Sequence, residues 1–202
     1  MLDRPLSALI RRPLVALAAV LARAGVSADV LTLSGFAVGL MGALAIALGS
    51  PLGGLAAILL SRLMDGLDGA VARLGTPTDR GAFLDITLDF IFYACIPLAF
   101  AIADPQANAL PAAVLLAAFI GTASSFLAFA VLATQRGTTS ADYPDKGLFY
   151  LGGLTEASET LFCFVLMCLW PAQFALWAYG FAALCLLTLL SRLAAGWRAF
   201  RV

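Results

Sequence analysis

Met64–Phe90, MDGLDGAVARLGTPTDRGAFLDITLDF, sets four carboxylates, Asp65, Asp68, Asp85 and Asp89, in sequence otherwise apolar enough for a membrane. A charged side chain at the centre of a spanning helix costs about 2.5–3.5 kcal/mol on the insertion scale, less near the interface. Four of them cost roughly 10 kcal/mol, comparable with the whole stability of an ordinary domain. A bound cation is the most direct way to offset that cost. The stretch therefore reads as two spanning helices about a short polar loop, and as the place where chemistry is expected.

The rest of the chain supports a membrane setting. Of 202 residues, 62% are hydrophobic and 12% charged, and the mean hydropathy is +0.99. A soluble domain is nearer half apolar, so one all-α, polytopic membrane domain is expected. Twelve basic and twelve acidic residues leave no net charge, and no nucleic-acid partner is expected. Histidine is absent, which removes imidazole as metal ligand and general base and leaves carboxylates for such work. Cys95, Cys163, Cys168 and Cys185 lie in apolar runs without CxxC spacing. They read as small buried hydrophobes. The N-terminus alternates arginines with apolar residues, so no cleavable signal peptide is expected.

Arg4, Arg11, Arg12 and Arg23 fall within about 120° on a helical projection, opposite Leu6, Leu9, Leu14, Leu17 and Leu21. Residues 1–28 thus read as a basic amphipathic helix in the headgroup layer, interrupted at Pro13. Residues 29–202 read as a six-helix transmembrane domain, with apolar stretches at 30–49, 51–74, 81–103, 109–134, 147–169 and 173–195. Each is near the roughly 20 residues a span requires. With both termini cytoplasmic, every basic residue falls on the cytoplasmic side, and the first, third and fifth connections carry none. The aspartates then sit at the cytoplasmic ends of spans two and three. Gly35, Gly39 and Ala43 form a small-residue stripe on span one, suited to close helix contact. Trp170, Trp177 and Trp197 fall near span ends, as an aromatic belt does.

Asp65 and Asp68 are three residues apart, and Asp85 and Asp89 four, so each pair shares a helix face. Consecutive antiparallel spans joined by a short loop are neighbours, which lets the pairs face each other. Oxygen-only donors suit Mg²⁺, Mn²⁺ or Ca²⁺, and four negative charges balance two divalent ions, as in phosphoryl chemistry. Gly69 and Ala72 keep the helix face low, Arg73 is placed to pair with a phosphate, and Gly81 opens the next span. Together they describe a pocket for a metal-bound nucleotide diphosphate.

The pattern Asp65-x2-Asp68-Gly69-x2-Ala72-Arg73-x7-Gly81-x3-Asp85-x3-Asp89 resembles the signature of the CDP-alcohol phosphatidyltransferases, with no departure. The resemblance implies transfer of a substituted phosphate from a CDP-linked lipid to a small alcohol, with release of CMP. It implies that Asp65, Asp68, Asp85 and Asp89 hold two ions, Mg²⁺ or Mn²⁺, and that Asp89 is also the base for the acceptor hydroxyl. Asp68, Gly69, Ala72 and Gly81 would accommodate the nucleotide and Arg73 the diphosphate. It also implies a homodimer in the cell membrane, and the span-one stripe is the one contact the sequence suggests.

Other readings exist. A prenyltransferase-like enzyme usually carries two Asp-rich motifs on distant helices, whereas these four lie within 25 residues. A cation transporter would continue its polar path outward, but Leu55 to Leu60 and Ile91 to Phe100 are apolar, relieved only by Tyr93. Arg62 is expected to steady Asp65, and Arg80 to pair with Asp79 in the loop. Arg80, Arg136, Glu156 and Glu159 are the acceptor-pocket candidates. The two glutamates are placed on one face of span five, about 14–18 Å in from Gly147. Two carboxylates there lean toward a cationic or hydroxyl-bearing acceptor and against glycerol phosphate or inositol phosphate.

Overall fold

Helix starts follow local capping chemistry. Ser27 Oγ accepts from the Val30 amide at 3.3 Å, Thr78 Oγ1 from Gly81 at 3.1 Å, and Asp104 Oδ1 from Ala107 at 3.1 Å. Pro51 and Pro105 occupy first-turn positions, where a missing N–H costs nothing. The resulting order is α1 (Asp3–Arg23), α2 (Ala28–Ala47), α3 (Pro51–Leu74), α4 (Asp79–Ala103), α5 (Pro105–Gln135), α6 (Ala157–Leu169) and α7 (Phe174–Ala199). A single 3₁₀ turn, Pro171–Gln173, joins the last two. This computed structural model describes the backbone of residues 3–136 and 154–200, and their side chains from Pro13 onward.

Among the described residues the fold is all-helical. Four segments are long and apolar enough to cross a membrane: Ala28–Ala47, Asp79–Ala103, Pro105–Gln135 and Pro171–Ala199. Two of the six expected spans differ for separate reasons. α3 has 24 residues, long enough for a bilayer of about 30 Å, but Arg62, Asp65, Asp68 and Arg73 interrupt its hydropathy. α6 has 13 residues, and the loop and helix start expected over 137–153 lie outside the described residues.

α2 packs most extensively on α3, and α5 on α7. The main core gathers Phe92, Ile96, Leu115, Phe164, Met167, Phe174 and Cys185 from α4 to α7, with Ile46 and Ile58 from α2 and α3. Cys163, Cys168 and Cys185 are buried and all four cysteines are free, as the composition suggested.

The small-residue stripe on α2 is used within the chain, not between chains. A Cβ added at Gly39 would lie 2.6 Å from Phe92 Cδ2 and 2.9 Å from Ser61 Oγ. One at Gly35 would lie 3.1 Å from Met64 Cβ. The stripe lets α3 and α4 approach α2 closely, so it is not an exposed dimer face. α1 also departs from expectation. It runs unbroken through Pro13, and its Leu14, Ala18 and Leu21 pack with Leu67, Ala70 and Val71 of α3. Proline removes one backbone bond from a helix interior, and the tertiary contact of this face with α3 offsets that loss. Leu14 and Leu21, expected to face acyl chains, face protein.

Candidate active site

The α3–α4 hairpin brings the aspartates together. One carboxylate oxygen each from Asp65, Asp68 and Asp85 lies within 4.8 Å of the others. At that separation each like-charged pair repels by roughly 3 kcal/mol or more at an effective dielectric of about 20. Such convergence of hard oxygen donors fits a divalent cation. Asp68 is buried at 5% exposure. Thr32 of α2 donates its hydroxyl to Asp68 Oδ2 at 2.6 Å, with the Ala28 carbonyl as the other oxygen in reach at 3.0 Å. A hydroxyl has one proton, and the shorter, charge-assisted bond holds it.

Asp89, the fourth motif carboxylate, is outside that converging set. Its Oδ1 accepts from Arg62 Nη1 at 2.6 Å, and the same nitrogen is 3.4 Å from Asp65 Oδ1. The guanidinium stacks over Phe92, 4.1 Å from the ring centroid. Arg62 therefore steadies Asp65 as the spacing predicts, but its shorter bond is to Asp89.

Two cavities meet at the cluster. The smaller, about 10 Å³, is lined by Thr32, Gly35, Phe36, Arg62, Asp65, Asp85, Leu88 and Asp89. The larger, about 440 Å³, is lined by Asp68, Gly69, Ala72, Arg73, Gly81 and Asp85, with Asp29, Thr32, Arg80 and the Gly75–Thr78 turn. Every residue expected to hold the nucleotide and diphosphate thus borders one space. The larger cavity is within the size range of small-ligand sites.

Arg80 borders this cavity too, and its partner is not the neighbouring Asp79 but Asp29 at the start of α2. Thr78 caps α4 from the side-chain oxygen. This turns Asp79 and Arg80 into the first helical turn, where they point along different directions. The other acceptor candidates are engaged elsewhere. Arg136 donates to the carbonyls of Ala199 and Phe200, each at 3.3 Å, tying α5 to the end of α7. Glu156 is the N-cap of α6 and Glu159 its third residue, paired in a capping box; the Glu156 amide donates to Glu159 Oε2 at 3.2 Å. The glutamates begin a helix instead of lying inside one, so their capping role removes the ground for the acceptor lean.

Among the described residues, an all-helical scaffold sets a carboxylate cluster able to hold a metal ion beside a cavity large enough for a nucleotide. Comparison with known proteins gives the family. Residues 25–192 match CDP-alcohol phosphatidyltransferase, and the chain belongs to that family and is an enzyme of that class. Inner membrane protein YnjF of Escherichia coli (strain K12) is 51% identical over 197 residues, covering 98% of this chain and 96% of its own. Two structures of the phosphatidylinositol phosphate synthase of Mycobacterium tuberculosis share the fold at 24% identity. The one with CDP-DAG bound has a TM-score of 0.71 and covers 92% of this chain and 94% of that one. The one with manganese and citrate has a TM-score of 0.72 and covers 91% and 88%. Family membership replaces the prenyltransferase-like and transporter readings.

Proposed function

We propose that this enzyme transfers a phosphatidyl group from CDP-diacylglycerol to the hydroxyl of a small alcohol and releases CMP. The observation that carries this is the abutment of the Asp65–Asp68–Asp85 cluster on the cavity bordered by Gly69, Ala72, Arg73 and Gly81. One solved relative in fold binds CDP-DAG and another form of it manganese, which supports the same donor and Mn²⁺ or Mg²⁺ here.

In this reading Asp65, Asp68 and Asp85 hold the cation, and Thr32 fixes Asp68 in its ligating orientation. The bound ion supplies charge neutralisation on the transferred phosphoryl group. Arg73 pairs with the diphosphate, and Gly69 and Ala72 let the cytidine lie close against α3. Asp89 takes the proton from the acceptor hydroxyl. The acceptor oxygen forms its bond to the lipid-side phosphorus as the bond from that phosphorus to the bridging oxygen breaks. The electron pair leaves with CMP. No covalent enzyme intermediate is required.

We also propose six spans, with α3 and α6 completing the four apolar helices. Residues 29–202 form the transferase domain in the cell membrane and 1–28 a juxtamembrane helix. The distribution of Arg and Lys supports termini and cleft on the cytoplasmic side, and the YnjF relative supports an inner membrane. A homodimer is the assembly the resemblance implies, with its contact away from the buried stripe on α2.

The test is CMP release from labelled CDP-diacylglycerol by the purified enzyme in micelles with Mn²⁺ or Mg²⁺, across a panel of alcohols. Release and a new phospholipid with at least one acceptor are expected, both lost with chelator and in Asp68→Asn. No release with any acceptor would reject the donor. Asp89→Asn should keep donor binding and lose turnover; near-normal turnover would remove Asp89 as the base.

A further inference from the structure

α1 keeps an apolar face that its packing on α3 does not use. From Pro13 to Ala22 it carries no charged residue, yet only one side of that stretch meets protein. Ala18 is fully buried, and Leu14 and Leu21 pack with it against Leu31 of α2 and Leu67, Ala70 and Val71 of α3. Leu17 and Val20 are exposed. At about 100° per residue these two fall on one flank of the docked side, and Arg23 lies opposite it. Arg12 stands eleven residues before Arg23, close to three helical turns, and so shares its register. The helix has three sides: protein-facing, apolar and basic.

Charge complementarity identifies what covers the last two. Residues 1–24 hold four arginines and a single acidic residue, Asp3. Anionic headgroups above acyl chains satisfy the basic and the apolar side together, whereas a neutral bilayer satisfies only the apolar one.

The protein-facing side covers the back of the cation site. Leu31 adjoins Thr32 and Leu67 adjoins Asp68, so the residues under α1 neighbour both partners of the 2.6 Å bond between α2 and α3. A Cβ added at Gly66, next to Asp65, would lie 3.3 Å from Leu14 Cδ1. A helix held on the membrane surface beside α3 is presented to it at high effective concentration, and one released into water is not.

We propose that α1 docks on anionic phospholipid headgroups, and that this docking holds α2 and α3 in the register that joins Thr32 to Asp68. Turnover then depends on the charge of the surrounding membrane. The inference rests on the proposed membrane setting and reaction, and adds a lipid ligand that is neither donor nor acceptor.

The test places the full chain, one per disc, in nanodiscs of phosphatidylcholine alone or mixed with phosphatidylglycerol. Amide hydrogen exchange is read over residues 13–23 and 64–72. Phosphatidylglycerol should slow exchange in both segments by about ten-fold, and high salt should cancel the effect. Arg11→Gln combined with Arg12→Gln should abolish the response and leave exchange in neutral discs unchanged. Leu14→Ala combined with Leu21→Ala should keep the response on α1 and lose it on α3. CMP release from a fixed fraction of CDP-diacylglycerol should rise at least about three-fold with phosphatidylglycerol in the wild type, in kcat more than in KM, and not in the arginine variant. Equal exchange in the two discs would overturn the docking. Protection that follows the number of chains per disc would give the face to a second copy and overturn it too. A response on α1 without one on α3 in the wild type would overturn the coupling. If the leucine variant does not fold, the wild-type and arginine-variant readings decide. No CMP release in any disc would instead reject the proposed reaction, while the exchange readings still decide the docking.

Discussion

Gly39→Ala tests whether the stripe on α2 exists to seat Phe92. The added Cβ would fall 2.6 and 2.8 Å from Phe92 Cδ2 and Cε2, where carbon atoms rest at about 3.5–4.0 Å. Phe92 has little room to retreat. It is fully buried, edge-on to Phe164 at 6.4 Å between centroids, and the Arg62 guanidinium lies over its ring. Overpacking of this kind costs about 1–3 kcal/mol, partly masked by the gain of about 1 kcal/mol when alanine replaces a helical glycine. Gly180→Ala isolates the two effects, because nothing lies within 4 Å of a Cβ at Gly180 on α7. The helix-propensity gain is common to both variants, so Gly39→Ala should be the less stable by about 2 kcal/mol. That is about 30-fold in the unfolding equilibrium and roughly 4–8 °C in Tm for a chain of this size. Reversible SDS unfolding in mixed micelles, followed by circular dichroism, measures the difference. Variants within about 0.5 kcal/mol of each other, below the floor of the overpacking range, would refute the argument that Gly39 makes space for Phe92.

Thr32→Val keeps shape but removes the hydroxyl on Asp68; Mn²⁺ affinity by calorimetry should fall about 10–100-fold. Ala72→Leu places a branched side chain in the larger cavity, so donor KM should rise at least about ten-fold with a smaller change in kcat. Unchanged donor KM would remove that cavity from the nucleotide role. Glu159→Ala breaks the α6 capping box and should cost about 1 kcal/mol of stability. Acceptor KM should stay within about two-fold for a capping residue that removes no substrate contact, and a large rise would return Glu159 to the acceptor pocket.

What the sequence discloses about this site depends on how far apart the partners lie along the chain. Asp65, Asp68, Asp85 and Asp89 were legible because spacings of three and four define a helix face, and a short loop makes two helices neighbours. Gly69, Ala72, Arg73 and Gly81 came with the same motif. Thr32 bears no such mark. It meets Asp68 across 36 residues through the α2–α3 register, and α2 reads as uniformly apolar, so no periodicity singles out one polar face. Arg62 was half legible. Asp65 lies within its own helix turn, while Asp89 lies 27 residues on. Arg80 failed for the same reason, since its partner Asp29 is 51 residues away and the adjacent Asp79 was the only charge local reasoning could offer.

The glutamates failed differently, because a local signal was present and outweighed. Gly152 and Gly153 precede them, and Glu159 stands three residues after Glu156, which is capping-box spacing. The apolar run on either side favoured one uninterrupted span, and that placed both carboxylates deep in the bilayer. A helix that begins at Ala157 spends those charges on its own unsatisfied amides instead.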